Sequence, residues 1–389
     1  MDLSEAESTD PALPEIEGYF QSRLLTSCAI VLCTLVYFLF FSPIFSMAQQ
    51  DKFFDCKLLA AIPDSVGFAG SYAGISGNAL LVGGGANFPD GVGPWGSTKK
   101  TWYDKVFVLE TPDGTWMHAG KLLRPMGYGI ALTWKDLVIC VGGGDAGRHY
   151  SDVWTWRWSG GELHTDTLPP LPLSLANATG AIVDNIMYIV GGISEPDARI
   201  AQEHFLSLDL TMPKSRMAWE IRPAFPGPPR MLAVAGSHDG SFYVFSGVEL
   251  YHDVRENKIE RRYLKDAYRF NPKNGWETLR DLPEAVAAAP SPAFNAGQSH
   301  MLIFGGDDGR LASRVMELKE NHPGFSSSVI AYHTGSDTWS ETGKAPENAS
   351  PLLKFPVTTP LVVWNKNVIL PGGEIRPGVR TTQVLRISP

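Results

Sequence analysis

The sequence predicts an all-β protein, a six-bladed β-propeller preceded by one hydrophobic N-terminal segment. Three observations lead there. Glycine and proline number 39 and 29 among 389 residues, and only 19% are charged, a composition suited to many short strands punctuated by turns. One unit recurs six times after residue 54. The last copy lacks its final strand, while a strand-like segment stands unclaimed ahead of the first.

The unit is an apolar strand ending in paired glycines, a loop, a second strand, then a tryptophan and a Leu-Pro. Its glycine ends read ALLVGGG at 79–85, LVICVGGG at 137–144, IMYIVGG at 186–192, FYVFSG at 242–247, MLIFGG at 301–306 and VILPGG at 368–373. The strands that follow include DKVFVLE at 104–110, SDVWTWRW at 151–158, DAYRFNP at 266–272 and TQVLRIS at 382–388. Tryptophans come next at Trp116, Trp219, Trp276 and Trp339, where the second copy has GELHTDTLPPLP instead. These units resemble kelch repeats, each a four-stranded blade, so residues 55–389 are read as a six-bladed kelch-type β-propeller. The sixth copy stops at its third strand, and CKLLAAIPD at 56–64 has the pattern of an outermost strand. That N-terminal strand is expected to close the last blade, leaving no open edge for another chain to pair with.

Residues 1–23 carry Asp2, Glu5, Glu7, Asp10, Glu15 and Glu17 with no lysine or arginine before Arg23. Such a segment has little to bury and reads as a disordered acidic tail. From Leu24 to Gln50 there is no charge at all, which is long enough to cross a bilayer. The segment at 24–48 is a signal peptide or a transmembrane anchor. Ser46-Met47-Ala48 supplies a signal-peptidase site, and the acidic n-region argues against an ordinary signal peptide. In both cases the propeller is expected outside the cytoplasm, with any membrane contact made only through this segment. A net charge of -8, with no basic run, leaves no footprint for nucleic acid. Cys56 and Cys140 sit in apolar, strand-like surroundings and read as buried free thiols.

In a propeller, the loop after a blade's second strand lies on the same face as the connections between blades. The residues that follow the glycine pairs therefore converge on one mouth: Asn87, Asp145, Arg148, Glu195, Glu249, Asp307, Asp308, Glu374 and Arg380. The connections add Arg124, Asn177 and Arg230. The result is a mixed-charge funnel suited to a small, hydroxyl-rich, anionic ligand. At 376–378, Arg-Pro-Gly places proline and glycine at the centre of a type II turn, which lets Glu374 and Arg380 face each other. By chemistry alone, such a pair is an ion pair or a catalytic carboxylate with its partner.

The segment GGEIRPGVRT at 372–381 resembles the Gly-Glu-x-x-Pro-Gly-x-Arg segment of the bacterial sialic acid mutarotases, the N-acetylneuraminate epimerases. GGGANFPDGVGPW at 83–95 and KTWYDKVFVLE at 100–110 are similar to the same family. Its Glu/Arg segment is usually mid-chain; here it falls in the final blade, which resembles the cyclically permuted mutarotases. Ser246-Gly247 departs from the paired glycines, and both departures bear on the shape of the funnel. The resemblance implies an isomerase acting on N-acetylneuraminate or a related sialic acid, with Glu374 as proton acceptor and Arg380 as its partner. It implies a periplasmic setting, admits a homodimer, and requires neither metal nor organic cofactor. On geometry alone, Asn87, Arg124, Arg148 and Arg230 are candidate substrate positioners. The alternative is a non-catalytic extracytoplasmic kelch module that binds a glycan or a protein. A copper radical oxidase of the galactose oxidase kind would need a cysteine near a channel tyrosine, and neither Cys56 nor Cys140 is placed for that.

Overall fold

The strands of each repeat pair in a fixed order. In the first, Tyr72–Ser76, Ala79–Gly83, Lys105–Leu109 and Met117–Lys121 form an antiparallel sheet in sequence order. Its inner strands are buried on both faces, because the sheet packs against a blade on either side, and so they read as continuous apolar runs. The outer strand is largely exposed. A computed structural model describes residues 54–346 and 353–388. Sheets of the same order run from Ile130 to Leu168, Thr179 to Arg222, Val234 to Leu279 and Phe294 to Lys344. The expected tail at 1–23 and the signal peptide or anchor at 24–48 lie outside the described residues.

The sixth blade contains Val362–Trp364, Asn367–Pro371 and Val384–Ser388, with Asp55–Leu58 as its outermost strand. Asp55 lies opposite Ser388 and Leu58 opposite Leu385, so the N-terminal strand closes the ring as expected. It is shorter than the 56–64 segment, whose later residues run on toward the first blade; the Ile62 N–H still donates to the Thr382 carbonyl at 2.9 Å.

Six apolar clusters fill the six junctions between blades. Tyr72, Leu81 and Val108 meet Cys140, Trp154 and Trp156 in one, and Leu80 and Val82 meet Trp364 and Ile369 in another. The other four are built alike. The recurring tryptophans latch these junctions from outside. The indole N–H groups of Trp116, Trp219, Trp276 and Trp339 donate to the carbonyls of Ala60, Pro169, Pro223 and Arg280 at 2.8–2.9 Å. Each acceptor lies just past the outer strand of the preceding blade. Cys140 is a buried free thiol as expected, while Cys56 is free but only half-buried, being on the outermost strand; burial still pushes its thiol up to about 12, far from a reactive thiolate.

Two backbone devices shape the axis. Gly70, Tyr128, Asn177, Leu232, Ala288 and Thr358, one ahead of each blade, have φ between 52° and 70°. Each N–H donates to the carbonyl of the preceding member, Gly70 to Thr358, Tyr128 to Gly70 and so round, at 2.7–2.9 Å. The left-handed backbone costs each non-glycine about 1–2 kcal/mol, offset by a bond that satisfies a donor otherwise orphaned in the channel. At the second-strand ends, the first residue of each pair has φ of 56–71° and the second 92–109°. Ser246 keeps the backbone of the glycines it replaces, with φ 56°. Its hydroxyl donates to the Leu264 carbonyl and accepts from the Val286 N–H, both at 2.8 Å. The serine therefore preserves the turn where a glycine was expected.

Candidate active site

The residue after each pair bridges to the residue just before the axial ring. The bridges are Ala86 to Ala69, Gly144 to Gly127, Ile193 to Ala176, Val248 to Met231, Asp307 to Ala287 and Glu374 to Val357. These six positions are equivalent around the axis. Four hold small or apolar residues, and two neighbouring blades, the fifth and sixth, hold carboxylates.

Beyond the ring opens a cavity of about 810 Å³, within the usual range for a small-molecule site. Tyr128, Asn177, Leu232, Ala288 and Thr358 of the ring line it. The first and sixth blades contribute Phe88, Lys100, Trp102, Glu374 and Arg380, and the fourth and fifth contribute Tyr263, Asp307 and His322.

Glu374 and Arg380 come together through local chain geometry. Glu374–Arg376 and Val379–Arg380 form a short hairpin in which Glu374 and Arg380 are partners. Gly378 has φ 79°, the value the third residue of a type II turn requires. A Cβ there would lie 2.3 Å from Cδ of Pro94, so the position also needs glycine for space. The Gly378 N–H donates to Glu374 Oε1 at 2.8 Å, while Oε2 lies 3.3 Å from Arg380 Nη2.

Arg380 is held from several sides. Its side chain is 3% exposed, Nε donates to the Ala86 carbonyl, Nη2 donates to the Tyr128 hydroxyl, and the guanidinium stacks 5.2 Å from the Phe88 ring centroid. Burial opposes its charge, but the Glu374 carboxylate and Tyr128 outweigh it and hold the pKa above the ordinary value. Nη1 is buried and has no hydrogen-bond partner among the described residues. A buried donor in that state is costly until an acceptor reaches it. A second cation, Lys100, sits 4.1 Å over the Tyr128 ring and 5.0 Å from that of Trp102.

Across the cavity, Asp307 Oδ2 accepts from the Tyr263 hydroxyl at 2.8 Å, and Oδ1 accepts from the Gly309 N–H at 3.0 Å. Burial pushes the Asp307 carboxyl above its ordinary value. His322 accepts the Gly324 N–H on Nδ1, leaving its proton on Nε2, and burial lowers its pKa.

The geometry brings Glu374 and Arg380 to the cavity and takes the other four candidates elsewhere. Asn87 is buried, donating to the Gly67 carbonyl and accepting from the Tyr103 hydroxyl. Arg124 is ion-paired to Asp152 at 2.6 Å. Arg148 is exposed beside Tyr150 and lines a separate surface recess with Glu195 and Asp197. Arg230 is fully buried, forked onto Asp266 through two 2.7 Å bonds. Lys100, Tyr128 and Tyr263 also line the cavity. Lys100 stands in the KTWYDKVFVLE stretch, while Tyr128 and Tyr263 follow no pattern along the chain.

A family model described as N-acetylneuraminate epimerase matches residues 55–165 and 168–317. The N-acetylneuraminate epimerase of Haemophilus influenzae (strain 86-028NP) is 26% identical over 240 residues, covering 57% of this chain and 59% of that protein. That of Yersinia enterocolitica is 39% identical over 112 residues, covering 26% of this chain and 27% of the relative. The chain thus spans 59% or less of the length of these curated relatives. Among solved structures, that of YjhT superposes with a TM-score of 0.59 at 15% identity, over 84% of this chain and 96% of YjhT, a likeness of fold.

Proposed function

This chain belongs to the N-acetylneuraminate epimerase family, and on that premise we propose that it interconverts the α and β anomers of N-acetylneuraminate or a related sialic acid. The observation that carries this reading is the Glu374–Arg380 pair, held on one hairpin in the cavity with a guanidinium donor still unmatched. Anomer exchange requires a proton to leave the anomeric hydroxyl and another to reach the ring oxygen. The bond from anomeric carbon to ring oxygen breaks, the anomeric carbon becomes a ketone, rotation presents its other face, and the ring recloses.

Glu374 takes the anomeric proton. Its carboxylate is kept in place by the Gly378 N–H, so little reorganisation accompanies the transfer. Arg380, Lys100 and Arg261 put three cations on the cavity wall, suited to a substrate that is itself a carboxylate. The planar Arg380 fork can share its charge between that carboxylate and oxygen developing negative charge. The aromatic walls of Phe88 and Trp102 suit the apolar face of a sugar ring.

Proton NMR of anomer exchange in N-acetylneuraminate is the direct test. The wild type should accelerate exchange, and Glu374→Gln should lose about 10²–10⁴-fold, the usual worth of a positioned acid–base group. Binding without acceleration by the folded wild type would replace this reading with a glycan-binding module.

A further inference from the structure

We propose that Asp307 is a second catalytic carboxyl group, exchanging a proton with the substrate while Glu374 exchanges the other. This inference rests on the mutarotase reading. The positions that follow the glycine pairs are equivalent around the axis. Ala86, Gly144, Ile193 and Val248 occupy four of them and can move no proton; Asp307 and Glu374 occupy the other two. The two carboxylates lie in adjacent blades, whose axial residues are joined by the Thr358 N–H to Ala288 carbonyl bond at 2.8 Å. Both line the same cavity.

Their surroundings differ as an acid and a base require. Glu374 lies beside a guanidinium, 3.3 Å away. Among the described residues, Asp307 forms no ion pair, and its charged neighbours are few. Asp308 follows it in the chain, His322 comes just past the helical turn Lys319–Asn321, and Tyr263 comes from the strand Lys258–Tyr263, with Arg261 beside it. Burial favours the protonated form of Asp307, which a proton donor needs. The group is also held in place: a Cβ on Gly309 would lie 2.4 Å from the Tyr263 ring, so loop and phenol pack tightly while both bond to Asp307.

In the opening step, the anomeric O–H gives its proton to Glu374. The bond from anomeric carbon to ring oxygen breaks, its electron pair stays on the ring oxygen, and that oxygen takes the Asp307 proton. Reclosure on the other face returns both protons, so no oxidant, reductant or further reactant enters.

The test is the pH profile of anomer exchange, measured by NMR with the full chain. For Asp307→Asn, exchange should fall by about 10²-fold or more, and the alkaline limb of the wild-type profile should vanish. The asparagine amide oxygen can keep only one of the two hydrogen bonds that Asp307 accepts, so Tm falls on either view; the lost limb is the readout that a scaffold role would not give. Tyr263→Phe removes a hydroxyl that favours the ionised carboxylate, so the alkaline limb should move to higher pH. Should Asp307→Asn fail to fold, an unmoved limb in Tyr263→Phe overturns the inference. Near wild-type exchange and an unchanged profile in Asp307→Asn, with Glu374→Gln inactive, overturns the role of Asp307 and leaves the mutarotase reading standing. A wild type that does not accelerate exchange overturns both.

Discussion

Arg230 and Asp266 show how the arginines near the mouth divide between substrate and scaffold, and Asp266→Ala tests that division. Arg230 is completely enclosed; Nη1 and Nη2 each lie 2.7 Å from an Asp266 oxygen. Removing one partner of a buried ion pair costs about 3–5 kcal/mol, because the other charge stays buried without compensation. Arg230 retains bonds to the Ser246 and Pro228 carbonyls at 2.9 and 3.2 Å, so the loss should lie near the lower end, about 3 kcal/mol. With an unfolding entropy of about 2.1 cal/mol/K per residue, a propeller of roughly 330 residues should then lose about 4 °C in Tm at neutral pH. Burial raises the Asp266 pKa, but the Arg230 and Tyr268 bonds outweigh it and leave the folded value depressed. Stability from this group is therefore complete above the unfolded value near 3.8 and is lost as pH falls through the folded value. Thermal melts of wild type and variant should converge in acid. Pairing Asp266→Leu with Arg230→Met should recover much of the loss, since no charge is then left unpaired. An unchanged Tm in Asp266→Ala, together with a raised KM in Arg230→Met, would refute the reasoning and put Arg230 at the substrate.

Two other expectations follow from the site and the turns that support it. Arg380→Lys keeps the charge but loses the planar fork that reaches Ala86, Tyr128 and Glu374; KM should rise roughly 10–100-fold, with a smaller change in kcat, as read from exchange kinetics across substrate concentration. At position 246, Ser246→Ala removes two buried hydrogen bonds and keeps the strained backbone, costing about 2–3 kcal/mol in urea unfolding. Ser246→Gly relieves the left-handed strain and should cost about 1 kcal/mol less; equal losses would mean that the backbone at 246 carries no strain.

The repeat was legible because its signals are periodic and local. A second strand buried on both faces must be apolar throughout, and a left-handed pair at its end selects glycine, so each blade announces itself in a few residues. Closure by the N-terminal strand was legible for a related reason: a copy one strand short, with an unclaimed strand at the other terminus, has one economical solution. The Glu374–Arg380 hairpin also lies within a single stretch of chain, with its turn written in Pro377 and Gly378. Which other charges reach the cavity was decided only by tertiary structure. Arg230 finds Asp266 36 residues away, Arg124 finds Asp152 28 away, and Asn87 finds Gly67 and Tyr103, so each spends its hydrogen bonds on the scaffold. Lys100, Tyr128 and Tyr263 enter the same cavity from three distant points of the chain, and Asp307 joins Glu374 because two blades set equivalent positions side by side. A side chain's type and its place in a repeat are properties of the local sequence. Whether it meets a partner or an open cavity depends on chain segments far away in sequence, and only the closed ring of blades brings those together.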